Sequence, residues 1–123
     1  MKYKFLNVNP LDAREGDCVT RAIKLASGLS YEEVQQKLHL VATLFDCEFL
    51  CVCCYKFLLD YVLSYERVEE FQGYTVEEFI EYNPNGVYLI RCDGHLTCSV
   101  NGTLMDTWDC RDMLVDLVWE VDT

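Results

Sequence analysis

A cysteine, a histidine and a carboxylate in this 123-residue chain have the types and spacing that nucleophilic acyl transfer needs. The cysteine is Cys18, in "GDCVTRAIK" at residues 16 to 24. Of the eight cysteines it alone directly follows a Gly-Asp pair and opens a helix-like run. A thiol in the first turn of a helix feels the positive end of the backbone dipole and N–H groups without an intrahelical partner. Both favour the thiolate, and the same N–H groups can donate to an oxyanion. A nearby histidine would form a thiolate–imidazolium pair. A carboxylate would then fix the ring's tautomer and orientation. The plain alternative is one more small buried thiol, since free cysteine is among the most buried residue types.

The other two candidates come from a hairpin. "HLTCSV" and "TLMDTW" are alternating runs joined by Asn101-Gly102, the pattern of a two-residue type I′ turn. Counting outward, Val100 pairs with Thr103, Ser99 with Leu104, Cys98 with Met105, Thr97 with Asp106 and His95 with Trp108. Alternation then puts His95 and Asp106 on one face as diagonal neighbours, roughly 7 Å or less between Cβ atoms. Cys98 and Asp109 face the other way. A register slip of one would move Asp106 off this face and bring Asp93 or Asp109 into consideration.

These residues must be positioned by helices in the first two-thirds of the chain and strands in the rest. The first helix is expected from near Asp17 to Ser27, with Val19, Ala22, Ile23 and Ala26 at helical spacing and Gly28 as the C′ residue. The second runs from a Ser30/Glu33 capping box to about Leu40, with Leu29 and Val34 as its hydrophobic staple. The apolar stretch at roughly 46 to 64 reads as a buried helix. A fourth helix opens on a Thr75/Glu78 capping box, with Tyr74 and Phe79 as staple, and breaks at "NPNG". "GVYLIRC", the two hairpin runs and "LVDLVWEV" read as strands. Helices first and an antiparallel sheet after make an α+β domain.

Length allows one domain with one modest core, residues 1–123. No apolar run reaches the roughly 20 residues of a membrane span, and "MKYKFLNVNP" has no apolar core or cleavage site of a signal peptide. A cytoplasmic protein that does not contact membranes is expected. There the cysteines should be thiols rather than a disulfide framework. A formal charge of -11 argues against a basic nucleic-acid groove and direct nucleic-acid binding. It leaves solubility, a basic protein partner or mimicry of nucleic-acid charge.

A cysteine opening the first long helix, followed by helices and then a sheet bearing histidine and a carboxylate, resembles the papain-like cysteine peptidases. More narrowly, "NVNP…GDCVTRAI" with "GHLTCSVNGTLMDTWD" resembles small papain-like cysteine hydrolases encoded by phages and prophages of Gram-positive bacteria. The resemblance runs from about Asn7 to Trp119, with no matching motif over 40 to 72. It implies a papain-like fold and a Cys18 nucleophile, a His95 base and an Asp106 orienting residue. The activity implied is that of a peptidase or amidase in the bacterial host cytoplasm. The family's glutamine a few residues before the cysteine is absent, and Asn9, or else Asn7, takes the oxyanion-hole role. No cofactor is implied; the partner is a protein or peptide substrate, or a host protein.

Two other readings stand beside the hydrolase. One is a catalytically inactive acidic binding protein that inhibits a host nucleic-acid-binding defence protein. The other is a metal-binding module built on Cys47, Cys51 and Cys54, which at i, i+4 and i+7 would share a helical face. Zinc sites usually show CxxC pairs from two segments, so core packing is the expectation for these three and no metal site is assigned. His39 reads as structural, and Tyr55, Phe57, Tyr61 and Phe71 as core. Glu66, Glu69, Glu70, Glu77, Glu78 and Glu81 read as solvated faces. Cys18 is expected to be the one accessible, activated thiol.

Overall fold

Helix ends in this chain are written in short-range chemistry, and the computed structural model, which describes residues 1–10 and 17–121, carries them out. The first helix, α1, spans Cys18–Ser27 and stops at Gly28, whose φ of 77° is open to glycine at little cost. The second, α2, spans Tyr31–Phe45. Both halves of its capping box form: Ser30 Oγ accepts from Glu33 N–H, and the Glu33 carboxylate accepts from Ser30 N–H. The fourth, α4, spans Val76–Tyr82 and repeats the device with Thr75 and Glu78.

Two expectations about helices need correction. α2 continues past Leu40, because Val34, Leu38, Val41 and Ala42 extend one buried stripe to its end. The helix expected from 46 begins only at Val52: α3 spans Val52–Phe57. Asp46, at a φ of 51°, ends α2, and Cys51 is extended, so residues 46–51 form a turn between helices. α3 passes directly into a π-helical turn at Leu58–Val62. Asp60 in that turn accepts from Trp119 Nε1 at 2.7 Å. This bond ties the helices to the fully buried Trp119 at the centre of the core.

Among the described residues, six strands make one sheet: β1 (Lys2–Phe5), β2 (Glu66–Arg67), β3 (Val87–Cys92), β4 (His95–Val100), β5 (Thr103–Asp106) and β6 (Val115–Val121). Their order is β1-β5-β4-β3-β6-β2. The sheet is mixed rather than wholly antiparallel and C-terminal. β1 comes from the N-terminus and runs parallel to β5, with Phe5 opposite Asp106. Its sequence is too short and polar to read as a strand; β5 supplies the template.

Both sheet faces are covered. On one, α1, α2 and α3 pack on Leu89, Leu96, Cys98 and Trp119. On the other, α4 packs on Tyr88, Ile90, Cys92, Leu104 and Val118. Alternation along β3 sends Leu89 to the first core and Ile90 to the second, which explains the unbroken apolar run in "VYLI".

The Asn101-Gly102 hairpin forms as expected. Its φ values are 48° and 81°, and Val100, Ser99 and Cys98 pair with Thr103, Leu104 and Met105. Asp93-Gly94, at 42° and 79°, makes a second turn of this type and sets Cys92 opposite His95. A side chain at Gly102 would meet two costs: left-handed backbone, about 1–2 kcal/mol, and a Cβ only 3.3 Å from the Pro84 carbonyl oxygen. Gly94 carries the backbone cost alone, with nothing near its Cβ position. Gly102→Ala is therefore expected to lower unfolding free energy more than Gly94→Ala does, measured by denaturant melts of both variants.

Candidate active site

Asp17 occupies the N-cap position of α1, but its side chain does not cap the helix. Its carboxylate instead accepts from Arg21 Nε at 2.7 Å, Asn9 Nδ2 at 2.7 Å and Tyr31 Oη at 2.8 Å. Burial opposes charge on Asp17, yet these donors, Arg21 first, hold its pKa below the ordinary value. The first intrahelical bond runs from Arg21 N–H to the Asp17 carbonyl. The N–H groups of Cys18, Val19 and Thr20 therefore precede the helical ladder.

Arg21 is the residue that sequence reasoning missed. It is buried, and its guanidinium spans two carboxylates: Nε on Asp17, and Nη1 on Asp106 Oδ1 at 3.2 Å. Nη1 also donates to Thr107 Oγ1 at 3.1 Å. One signal was available: Asp17 and Arg21 stand at the i, i+4 spacing of a helical ion pair. Its second partner lies 85 residues away and has no sequence signature.

The contact is possible because β4 and β5 part. Their ladder ends at Cys98–Met105, although β4 extends back to His95 and β5 on to Asp106. Arg21 reaches Asp106 beyond the last ladder pair. Asp106 Oδ1 also accepts from Thr107 N–H at 2.7 Å, and Oδ2 lies 2.6 Å from His95 Nε2. The backbone there is clasped by β1: the Asp106 carbonyl accepts from Leu6 N–H and Tyr3 Oη, both at 3.0 Å. The exposed Trp108 packs its ring edge-on to His95, with centroids 4.9 Å apart.

The structure brings Cys18, His95 and Asp106 together. The Cys18 thiol is half-buried, and His95 and the Leu96 backbone are the neighbours that favour its ionised form. Burial pushes the thiol up, but His95, Leu96 N–H and Arg21 together bring it below its ordinary 9.0. Burial likewise disfavours the imidazolium, but Asp106, Cys110 and Cys18 raise His95 to about 11. Burial works against the Asp106 carboxylate too, and His95 holds it low. Four groups thus alternate in sign, Asp17, Arg21, Asp106 and His95, with the Cys18 thiol beside the last. Each buried charge touches an opposite one, which is the condition for keeping charge out of water.

Asn9 sits one residue behind this line. Its side-chain amide donates to Asp17 and to Tyr31 Oη, at 2.7 and 3.2 Å. Its geometry is that of a brace on Asp17. Asn7 Oδ1 accepts from Asn9 N–H at 3.1 Å. Residues 11–16, which contain the position of the missing glutamine, lie outside the described residues.

Cys110 is buried beside His95, and His95, Asp106 and Cys110 place potential ligand atoms within 4.8 Å of one another. Arg21 on the same carboxylate disfavours a cation there. The Cys92 thiol and burial push Cys110 up, so it stays a neutral thiol. Cys98, buried on the far face, is pushed up to about 12. The expectation that Cys18 is the one accessible thiol fails: Cys47 and Cys51 are half-buried and Cys53 is exposed. Three aromatic readings also change. Tyr61 is 72% exposed, and Phe57 and Phe71 are only partly buried. His39 stacks on Phe49 at 4.0 Å.

Cys18, Arg21, Leu96, Thr97, Met105 and Asp106 are among the residues that line a gap too small for a water molecule. Comparison with protein-family models, curated proteins and solved structures finds no match to this chain.

Two outcomes are expected. Arg21→Met leaves Asp17 and Asp106 buried without their cation and should destabilise the fold by about 3–5 kcal/mol in denaturant melts. The second concerns pH. His95, raised from 6.5 to about 11, contributes stability that is full below 6.5 and lost as pH rises through 11. Cys18, lowered from 9.0, contributes stability that is full above 9.0 and lost as pH falls. Above 9.0 only the His95 loss remains, and just below 9.0 the Cys18 term opposes it. Thermal midpoints should fall more steeply above pH 9.0 than just below it. In Cys18→Ala that change of slope at pH 9.0 should disappear.

Proposed function

We propose that this chain is a cysteine hydrolase of papain-like type, acting on amide, peptide or isopeptide bonds. The observation that carries the reading is the His95–Asp106 contact, an imidazole Nε2 2.6 Å from a buried carboxylate, with the Cys18 thiol near enough to that ring for His95 to lower its pKa. The opposite pKa directions of the thiol and the ring are those a thiolate–imidazolium pair requires.

The chemistry follows from that pair. The Cys18 thiolate attacks the substrate carbonyl carbon, and the carbonyl electrons move onto oxygen. The Cys18 backbone N–H, which precedes the helical ladder, is the oxyanion donor nearest the attacking sulfur. The imidazolium gives its proton to the leaving nitrogen as the C–N bond breaks, leaving a thioester and neutral His95. Neutral His95 then takes a proton from water, the hydroxide adds to the thioester, and the C–S bond breaks to restore thiolate and imidazolium. Asp106 stays ionised throughout and holds the ring in place.

A second reading, an acidic binding protein with an inactive site, is favoured by one observation. The Asn9 amide nitrogen, the oxyanion donor the family resemblance assigns, donates to Asp17 and to Tyr31.

Limiting iodoacetamide at pH 6.5 followed by peptide mapping tests the pair. Labelling of Cys18 should be fast at that pH and should slow strongly in His95→Ala. Label confined to Cys47, Cys51 and Cys53, or no effect of His95→Ala, would overturn the pair. Activity-based peptide aldehydes and a peptide-amide library test hydrolysis. Cys18→Ala should abolish turnover, and Asp106→Asn should lower it by about 10⁴-fold, the scale of losing the orienting carboxylate. Turnover that survives Cys18→Ala would exclude the cysteine mechanism.

A further inference from the structure

Away from this site, three cysteines from the α2–α3 connection converge at the surface. Cys47 follows Asp46, the left-handed residue that ends α2, and its N–H bonds the Ala42 carbonyl at 3.0 Å. A turn closed by Cys51 N–H on the Glu48 carbonyl at 3.1 Å brings Cys51 back to the start of α3. Cys53 lies in the first turn of α3. The three sulfurs lie within 4.8 Å of one another, and those of Cys51 and Cys53 are 2.6 Å apart. The expected arrangement was different. Cys47, Cys51 and Cys54 do not share a helical face, because α3 starts after Cys51. Cys54 turns into the core, where its thiol donates to the Leu38 carbonyl at 3.1 Å.

We propose that Cys47, Cys51 and Cys53 form a thiolate site for a thiophilic divalent metal ion of the zinc type, clipping the end of α2 to the start of α3. Core packing does not account for these residues: Cys53 is exposed, and Cys47 and Cys51 only border the core. Three sulfurs gathered from both sides of a turn are what zinc uses, and the soft thiolate set excludes magnesium and calcium. A tetrahedral ion with bonds of about 2.3 Å spaces its sulfurs roughly 3.8 Å apart. The Cys51–Cys53 separation of 2.6 Å must open by about 1 Å to reach that spacing, a movement open to the exposed Cys53. With Cys54 engaged by Leu38, three protein ligands remain, and a water molecule would complete the set. Binding exchanges protons for metal: three thiols and one Zn²⁺ give a Zn-tristhiolate and three H⁺, so affinity rises with pH. The chain's charge of -11 favours the cation.

The test is cobalt and zinc binding to the full chain, purified and reduced under anaerobic conditions. One equivalent of Co²⁺ should produce a thiolate-to-cobalt charge-transfer band, which Zn²⁺ should bleach. Zn²⁺ should also raise the thermal midpoint. Cys53→Ser, a change at an exposed side chain, should lose both responses while its circular dichroism matches the parent. Cys51→Ser should lose them as well. Cys18→Ala and Cys110→Ser should keep them, which separates this site from the thiols near His95 and from the fate of the hydrolase reading. Absence of the band, its survival in Cys53→Ser and Cys51→Ser, its loss in Cys110→Ser, or recovery of a Cys51–Cys53 disulfide that takes up no metal would overturn the proposal.

Discussion

The guanidinium of Arg21 is the constraint around which the site is organised. It lies between two buried carboxylates, Asp17 at the start of α1 and Asp106 at the end of β5. Without it, two negative charges would face each other across a helix–sheet interface with little water to screen them. With it, α1 is fixed in rotation and height against the sheet. Cys18, one residue after Asp17, then meets His95, which is bonded to the other oxygen of Asp106. An arginine suits this role because its planar fork can serve two acceptors in fixed directions; a lysine is a single point charge.

The sheet is shaped to admit that contact. β4 and β5 form a tight hairpin at one end, but their ladder stops at Cys98–Met105. Beyond it, Asp106 exchanges its β4 neighbour for β1, which covers its backbone through Phe5, Leu6 and Tyr3. The parallel edge strand thus supports the carboxylate's backbone while the side chain is left to Arg21, Thr107 and His95. On the other side of α1, Tyr31 of α2 and Asn9 brace Asp17. The polar line is enclosed by two apolar cores, one under α1–α3 and one under α4, so its bonds are strong for the reason that unpaired members would be costly.

The α2–α3 connection has a different character. The chain leaves α2 through a left-handed Asp46, turns at 48–51, and re-enters a short helix that becomes a π-helical turn. Little apolar burial holds residues 46–53, and several large apolar side chains nearby, among them Leu44, Phe45 and Tyr61, remain exposed. A cross-link through three sulfurs would supply there the constraint that the cores supply elsewhere.

Local chemistry in the sequence determined the helix caps at Ser30 and Thr75, the stop at Gly28, the Asn101-Gly102 turn and hence the shared face of His95 and Asp106. Each depends on residues within a few positions, where side-chain preference and backbone geometry are enough. The candidate nucleophile was legible for the same reason, as a thiol at a helix start. Tertiary structure alone decided the parallel pairing of β1, the parting of β4 and β5, the Arg21–Asp106 contact, and the turn that gathers Cys47, Cys51 and Cys53 while sending Cys54 inward. A parallel edge strand takes its order from the strand it joins, and a buried ion pair takes its energy from a partner far along the chain and from the exclusion of water. Neither leaves a periodicity or a motif, because neither exists until the chain has packed.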